Sequence, residues 1–495
     1  MVGVCAALAA VQTSVAALNV AVPQIGADFG ASQGALLWVV NGYTLTLAAL
    51  LLPLGALGDR LGRKPMLVAG LIVFGLAAFA SSQATSVEML IALRVITGVG
   101  GAMVLPATLS VITSSFPPES RGTAIGVWAG VAGSGGLLGL IGASFIVDAV
   151  TWPWVFALVV VPAALALVVV VASVPNSVES DGHGFDGPGA VLSALAIGGL
   201  VLGIQEGPEH GWSAALTVTG LGVGAAAAIA WMAFSRRTSR PMLDLRLFRL
   251  PGLAGGSIAL LALSGLSFGV FLILIQYLLS VLGFSAVRSA ASLSPIVVLT
   301  LVGAQLGPRL SARFGPAIVV GGGQVLAGVG IATVALQADA LSFAAMLPGL
   351  VVFGLGLGLG LAPSTTAITG ALPPDKQGVA SAVNDTVREL GGALGIAVLG
   401  SVLNAGYRSS VGAVEAGLSP DLAAVVHDGI NTTQAAIQTM PAQVAAPILE
   451  GVRGAFVDGW TTSMWGGAGA FLVAGVVTFI LFRREQVQQG AGTVP

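Results

Sequence analysis

The chain has 495 residues, of which 56% are hydrophobic and 8% charged, with a formal net charge of −2. A soluble domain carries about 25% charged residues, so this chain cannot cover a water-facing surface of its own size, and lipid is the surrounding its composition fits. The near-neutral balance supplies no basic field for nucleic acid. A single cysteine, Cys5, excludes an internal disulfide and a thiolate metal cluster. His183, His210 and His427 stand far apart without metal-ligand spacing, so neither a metal nor any other cofactor is expected.

The apolar runs are helices by length. A bilayer core of about 30 Å needs roughly 20 helical residues, whereas barrel strands are about ten residues long and alternate. Runs such as Val155–Val171 and Val191–Leu202 do not alternate. The first run, Val2–Pro23, has no basic segment before it and no cleavage site after it, and reads as a retained span rather than a signal peptide. In chain order the predicted spans are 3–24, 35–57, 66–83, 88–113, 121–146, 152–173, 189–206, 214–235, 254–281, 288–307, 316–336, 343–367, 378–405 and 457–482. The expected fold is therefore all-α and membrane-spanning, with fourteen helices.

Three connecting segments stand out. Residues 173–187 read as a flexible acidic link, and 235–251 as a basic amphipathic segment lying along the membrane surface. Residues 406–457 form a long insertion whose alternating polar and apolar residues predict a small folded hairpin. With both termini placed in the cytoplasm, fourteen of the nineteen arginines and lysines fall in cytoplasmic segments and three outside. The other two, Arg94 and Arg388, lie within spans. Basic residues concentrate on the inner side of membrane proteins, so this asymmetry supports the count. The spans divide six, two and six: a first bundle over 1–173, links and two extra spans over 174–253, a second bundle over 254–482 carrying the 406–456 insertion, and a tail over 483–495. Gly55–Lys64 follows the second span, and Leu306–Gly315 falls at the corresponding place in the second six. Such repeats, with a site at the midplane between them, are the usual build of secondary transporters.

Several motifs carry a resemblance to a known family. GALGDRLGRK at 55–64 resembles the loop between spans two and three of the major facilitator superfamily, and LIALRVITGVGGA at 90–102 resembles its fourth-span motif, with Arg94 in the arginine position. NVAVP at 19–23 and WVVNGYTLTLAA at 38–49 resemble the fourteen-span drug:proton antiporters. PMLDLRLF at 241–248 and VNDTVRELGGALGIAVLG at 383–400 are similar to the branch that exports quaternary ammonium compounds, dyes and fluoroquinolones. The resemblance implies two six-helix bundles plus two additional helices, and efflux of hydrophobic or cationic small molecules by proton antiport with alternating access. It also implies a multi-pass monomer in a bacterial cytoplasmic (inner) membrane, with lipid as its only other partner. The departures are specific. Ser14, Asn41 and Thr300 occupy places where relatives carry acids, Gly139-Leu140 replaces the glycine-proline pair of the fifth span, and Trp152-Pro153-Trp154 replaces a tryptophan-arginine-tryptophan.

Asp385, Arg388 and Glu389 are the candidate coupling residues. They lie about 10–17 Å into the thirteenth span at 1.5 Å per residue, where an ionised group costs about 2.5–3.5 kcal/mol. Asp385 and Glu389 are four apart and share a helix face. Arg388 can neutralise one acid, which leaves the other available to a proton or a cation; otherwise the group is a structural ion pair. Carboxylates removed from water hold protons more tightly, as proton coupling requires. By resemblance Arg94 joins in proton transfer; the alternative is a packing contact to backbone carbonyls. In the 55–64 loop, Gly55 and Gly62 permit close approach and a tight turn, and Asp59 can face a neighbouring helix N-terminus. With Arg60, Arg63 and Lys64 at the inner interface, the loop is expected to latch the two halves in an outward-open state. Candidate cavity residues are Ser14, Asn19, Trp38, Asn41 and Tyr43 in the first half. In the second half they are Phe268, Phe271, Gln276, Asn384 and Asn404. Polar groups in spans face the bundle interior. Gly130, Gly133, Gly135, Gly136 and Gly139 form a small-residue stripe read as close packing between halves.

The expected function is efflux. The alternative is export or flipping of a lipid or an endogenous metabolite, with weaker proton coupling, because three expected acids are neutral here. A membrane enzyme or sensor is disfavoured, since the sequence has no nucleophile–base pair, phosphate loop or large soluble domain.

Overall fold

A computed structural model describes residues 1–175, 185–238, 241–373, 376–438 and 440–491. Among these residues fourteen helices are long and apolar enough to cross a membrane. The first half consists of α1 (Val2–Phe29), α2 (Gln33–Leu61), α3 (Arg63–Ser81), α4 (Val87–Ser115), α5 (Pro118–Ala149) and α6 (Ala157–Ser173). A helical pair follows, α7 (Gly187–His210) and α8 (Ala215–Arg237). The second half holds α9 (Pro251–Ser280), α10 (Ala286–Ser292), α11 (Ser294–Phe314), α12 (Pro316–Ala335) and α13 (Phe343–Gly370). It is completed by α14 (Gln377–Glu415), the short α15 (Pro420–Asp428) and α16 (Ile430–Ile437), and α17 (Ala442–Ala491).

Local chemistry sets several helix ends. Ser32 and Ser86 cap α2 and α4 through their hydroxyls, and Asp186 caps α7. Glycine ends α2 and α11, and in both the chain turns at once into the next helix. Gly62 has φ 100° and ψ 141°, and Gly315 has φ 84° and ψ 153°. The two turns fall within the segments read as corresponding, 55–64 and 306–315, and each needs glycine because a Cβ resists positive φ.

Each half has its own apolar core. One gathers α1–α6 around Leu8, Leu47, Phe74 and Trp128, the other α9 and α11–α17 around Tyr277, Phe353, Trp460 and Phe471. A third cluster joins the halves: Ala48 and Leu52 of α2, Ile197 and Val201 of α7, Leu260 of α9, and Val383 of α14. The inserted α7 therefore sits in the seam between the bundles.

One expectation is corrected. Residues 406–457 are folded, but as helices: α14 runs on to Glu415, α15 and α16 follow, and α17 begins at Ala442. The apolar residues that alternate in sequence come together differently. Val426, Ile430 and Ile437 are buried, Tyr407 donates to the Val426 carbonyl at 2.6 Å, and Ser280 donates to the Asn431 side chain at 2.9 Å. The described part of 235–251 holds little regular structure. Met242 and Leu243 are buried, the Met242 amide donates to Asp186 Oδ2 at 2.9 Å, and only a turn of 3₁₀ helix forms at Leu245–Arg249. Of the 173–187 link, residues 176–184 lie outside the described residues, as do Arg240 and His183.

Candidate functional site: a chamber between the two halves

A chamber of about 450 Å³ lies between the halves. Its wall is mainly apolar, with Trp128, Phe268 and Phe271 as the aromatic members. Such concave, mainly apolar surfaces with a few polar groups are what small-molecule sites look like. The chamber reaches Pro208 and Ile275, near the far ends of α7 and α9.

At the other end, marked by the 62 loop, the halves touch. A methyl group at Gly126 of α5 would stand 2.5 Å from the Ala304 carbonyl oxygen of α11, and one at Gly55 of α2 would stand 2.5 Å from Ala382 Cβ of α14. Asp59 completes this closure. Its carboxylate accepts from the amides of Gly378 at 2.6 Å and Val379 at 2.9 Å, in the first turn of α14. These are the unpaired donors at the positive end of a helix, so an anion there is stabilised both by hydrogen bonds and by the helix dipole. Arg63 lies 4.0 Å from Asp59, Lys64 donates at 2.9 Å to the Val171 carbonyl in the last turn of α6, and Arg60 is exposed.

The charged group on α14 is assembled as its spacing predicts. Arg388 Nη2 stands 3.8 Å from Asp385 Oδ1 and 3.7 Å from Glu389 Oε1, so one guanidinium serves two acids. Neither approach is close enough for a hydrogen bond. Arg388 and Glu389 line the chamber, and Arg388 lies 5.6 Å from the Trp128 ring across the seam. Asp385 is fully buried behind the wall, and the Asn384 amide donates to its Oδ1 at 3.3 Å. The two acids therefore differ: Glu389 borders the chamber, whereas Asp385 does not.

Arg94 is enclosed within the first half, away from the chamber wall. It donates to Ser14 Oγ at 2.9 Å, Ser14 O at 3.3 Å and Val39 O at 3.1 Å, and it lies 4.3 Å from the Tyr43 ring. Tyr43 in turn donates to Val11 O at 3.3 Å. A buried guanidinium needs several acceptors, and here neutral oxygens supply them.

Of the expected cavity residues, Asn41, Phe268, Phe271 and Asn384 line the chamber. Ser14, Asn19, Trp38, Tyr43, Gln276 and Asn404 do not. Ser14 and Tyr43 are taken up by Arg94, and Asn19 is exposed, with its amide on the Val15 carbonyl of its own helix. Trp38, Gln276 and Asn404 are half-buried elsewhere. The glycine stripe of α5 also divides. Gly130 and Gly133 face Leu301 and Thr300 of α11 across the seam, whereas Gly135 and Gly139 pack on Gln12 and Thr13 of α1 within the same half. A helix of 3.6 residues per turn cannot keep all five on one side.

Residues not singled out in the sequence also line the chamber, among them Gln12, Thr44, Trp128 and Gln205. Gln12 and Gln205 were visible as amides inside apolar spans. Gln324 carried the same signal, yet it is fully buried and donates to Ala259 O at 3.1 Å, a contact between α12 and α9.

With this geometry in place, comparisons with known proteins agree. The sequence profile of the Major Facilitator Superfamily matches residues 4–396. The multidrug efflux pump LfrA of Mycolicibacterium smegmatis is 34% identical over 470 residues, covering 94% of this chain and 92% of that protein. The tetracenomycin C resistance and export protein of Streptomyces glaucescens is 32% identical over 481 residues, covering 93% and 86%. Among solved structures, the human organic anion transporter MFSD10 (TETRAN) shares the fold, with a TM-score of 0.62 at 14% identity over 97% of this chain and 98% of that one. The chain belongs to the Major Facilitator Superfamily.

Proposed function

We propose that this protein is a secondary active exporter that moves hydrophobic or cationic small molecules out of a bacterial cell in exchange for protons. Both termini are taken as cytoplasmic, from the excess of basic residues in the segments at that side. The Asp59 end is then the cytoplasmic end, and the closure there describes an outward-facing conformation. The observation that carries the reading is the mainly apolar chamber with Glu389 on its wall and a shared guanidinium beside it.

Glu389 can hold a proton or the positive group of a cargo molecule, but not both. Competition for one carboxylate, combined with rocking of the halves about the chamber, is sufficient for exchange. A proton moving down 100 mV releases about 2.3 kcal/mol for this work. Asp385, behind the wall, tunes how firmly Arg388 holds Glu389. LfrA is by name a multidrug efflux pump, which supports the same reading. A second reading is export of a lipid or a metabolite made by the same cell, with weaker coupling. It is favoured by the neutral Asn41 and Thr300 on the chamber wall and by the name of the tetracenomycin C relative.

The test is transport of ethidium, a cationic dye, by the purified protein in proteoliposomes. An imposed proton gradient is expected to drive dye movement in the wild type. Glu389→Gln is expected to lower gradient-driven movement at least tenfold while leaving dye-for-dye exchange in place. Gradient-driven movement at the wild-type rate in Glu389→Gln would refute coupling through this residue.

A further inference from the structure

The helical pair α7–α8 is additional to the two six-helix bundles, yet α7 is not peripheral. Val201, Ile204, Gln205 and Pro208 form one wall of the chamber. The helix is held against α2: a methyl at Gly198 would stand 3.1 Å from Ala49 Cβ, and Gln205 Nε2 donates to Thr44 Oγ1 at 3.3 Å. The relay continues, for Thr44 Oγ1 donates to the backbone carbonyl of Asn41 at 3.2 Å. Asn41 and Thr44 line the same chamber. The Asn41 carboxamide forms no hydrogen bond among the described residues, and Gln205 Oε1 is enclosed without a partner. A polar group kept in an apolar wall without a protein partner is costly, and a ligand that supplies the partner recovers that cost.

We infer that the inserted helix completes the cargo site. With α2 it forms a polar ledge, Asn41–Thr44–Gln205, that recognises a neutral hydrogen-bonding group, such as a hydroxyl or an amide, on an otherwise apolar aromatic molecule. Asn41 makes the contact. Gln205 is a positioning residue that acts through Thr44. The three side chains of the ledge are uncharged, so it sorts cargo by hydrogen bonding rather than by charge. The inference rests on the export reading for its cargo.

The experiment uses the full-length protein and two fluorescent probes of equal shape, 9-anthracenemethanol and 9-ethylanthracene, which differ by a hydroxyl in place of a methyl. Equilibrium binding in detergent gives the ratio of their affinities. Asn41→Leu is expected to lower the preference for the alcohol over the hydrocarbon, read as the ratio of the two affinities, by about five- to tenfold, and Gln205→Leu by about threefold. A purely structural role at 205 would weaken both probes alike and leave the ratio fixed. Unchanged ratios in both variants would overturn the inference. Should Gln205→Leu fail to fold, Ile204→Cys in a Cys5→Ser background provides a second measurement. Bound 9-anthracenemethanol is expected to slow its labelling by N-ethylmaleimide, and the absence of protection would remove α7 from the site. Proton-driven transport of the alcohol in proteoliposomes is read separately. A shifted binding ratio without transport in the wild type would refute the export reading and leave the ledge standing, whereas transport with unshifted ratios would do the reverse.

Discussion

The two intramembrane arginines show how similar residues acquire different surroundings. Both were legible as costly charges in apolar spans. Arg388 shares its charge between Asp385 and Glu389 on its own helix, and the spacing along α14 was enough to foresee that. Arg94 takes its acceptors from α1 and α2, and no local pattern could have named them. Ser14 is neutral, and it serves the arginine through Oγ and the backbone oxygen. Ser14→Ala removes one acceptor and leaves a guanidinium donor unpaired, a cost of about 1–3 kcal/mol. The expected outcome is a clearly lower melting temperature of the detergent-solubilised protein. An unchanged melting temperature would mean that Arg94 finds another acceptor at no cost.

Between elements, the determining feature is how closely backbones approach. Lipid gives helices no hydrophobic reason to associate, so close van der Waals contact through small residues takes that role. At the crossing of α9 and α14, a methyl added to Gly395 would overlap the Gly265 carbonyl oxygen. Gly400, one and a half turns further along α14, has open space around its Cβ direction. Gly395→Val should therefore reduce the yield of monodisperse protein on size-exclusion chromatography severalfold, while Gly400→Val should not. Equal yields would show that α9 and α14 can separate without penalty. The abundance of glycine was plain in the sequence, but not which glycines meet a partner. That depends on helix rotation, as the divided stripe on α5 demonstrates. The 406–457 insertion is folded as expected but not as a hairpin, for a related reason: its alternation arises from two short helices, α15 and α16, between the ends of α14 and α17, not from strand pairing.

For the molecule as a whole, the Asp59 contact ties α2 of the first half to the start of α14, the same helix that bears Asp385, Arg388 and Glu389. Taking only about 1 kcal/mol for each of the two hydrogen bonds lost, as the low end, gives about 2 kcal/mol, roughly a thirtyfold change in the balance between closed and open forms at that end. Ala107 is buried and borders the narrow crevice between Gly55 and Gly378. In a Cys5→Ser background, Asp59→Ala should thus speed maleimide labelling of Ala107→Cys by an order of magnitude, and equal labelling rates would deny the contact a latching role. By itself the sequence determined the fourteen spans, the glycine turns at Gly62 and Gly315, and the charged triplet on one helix. Each of these follows from local length, spacing or the cost of charge in lipid. Only the tertiary structure decided that Glu389 faces the chamber while Asp385 does not, that six of ten expected cavity residues lie elsewhere, and that the inserted α7 forms a wall. In lipid a helix is apolar on every side, so hydropathy carries no record of which face turns toward a partner; that is fixed by contacts between residues hundreds of positions apart.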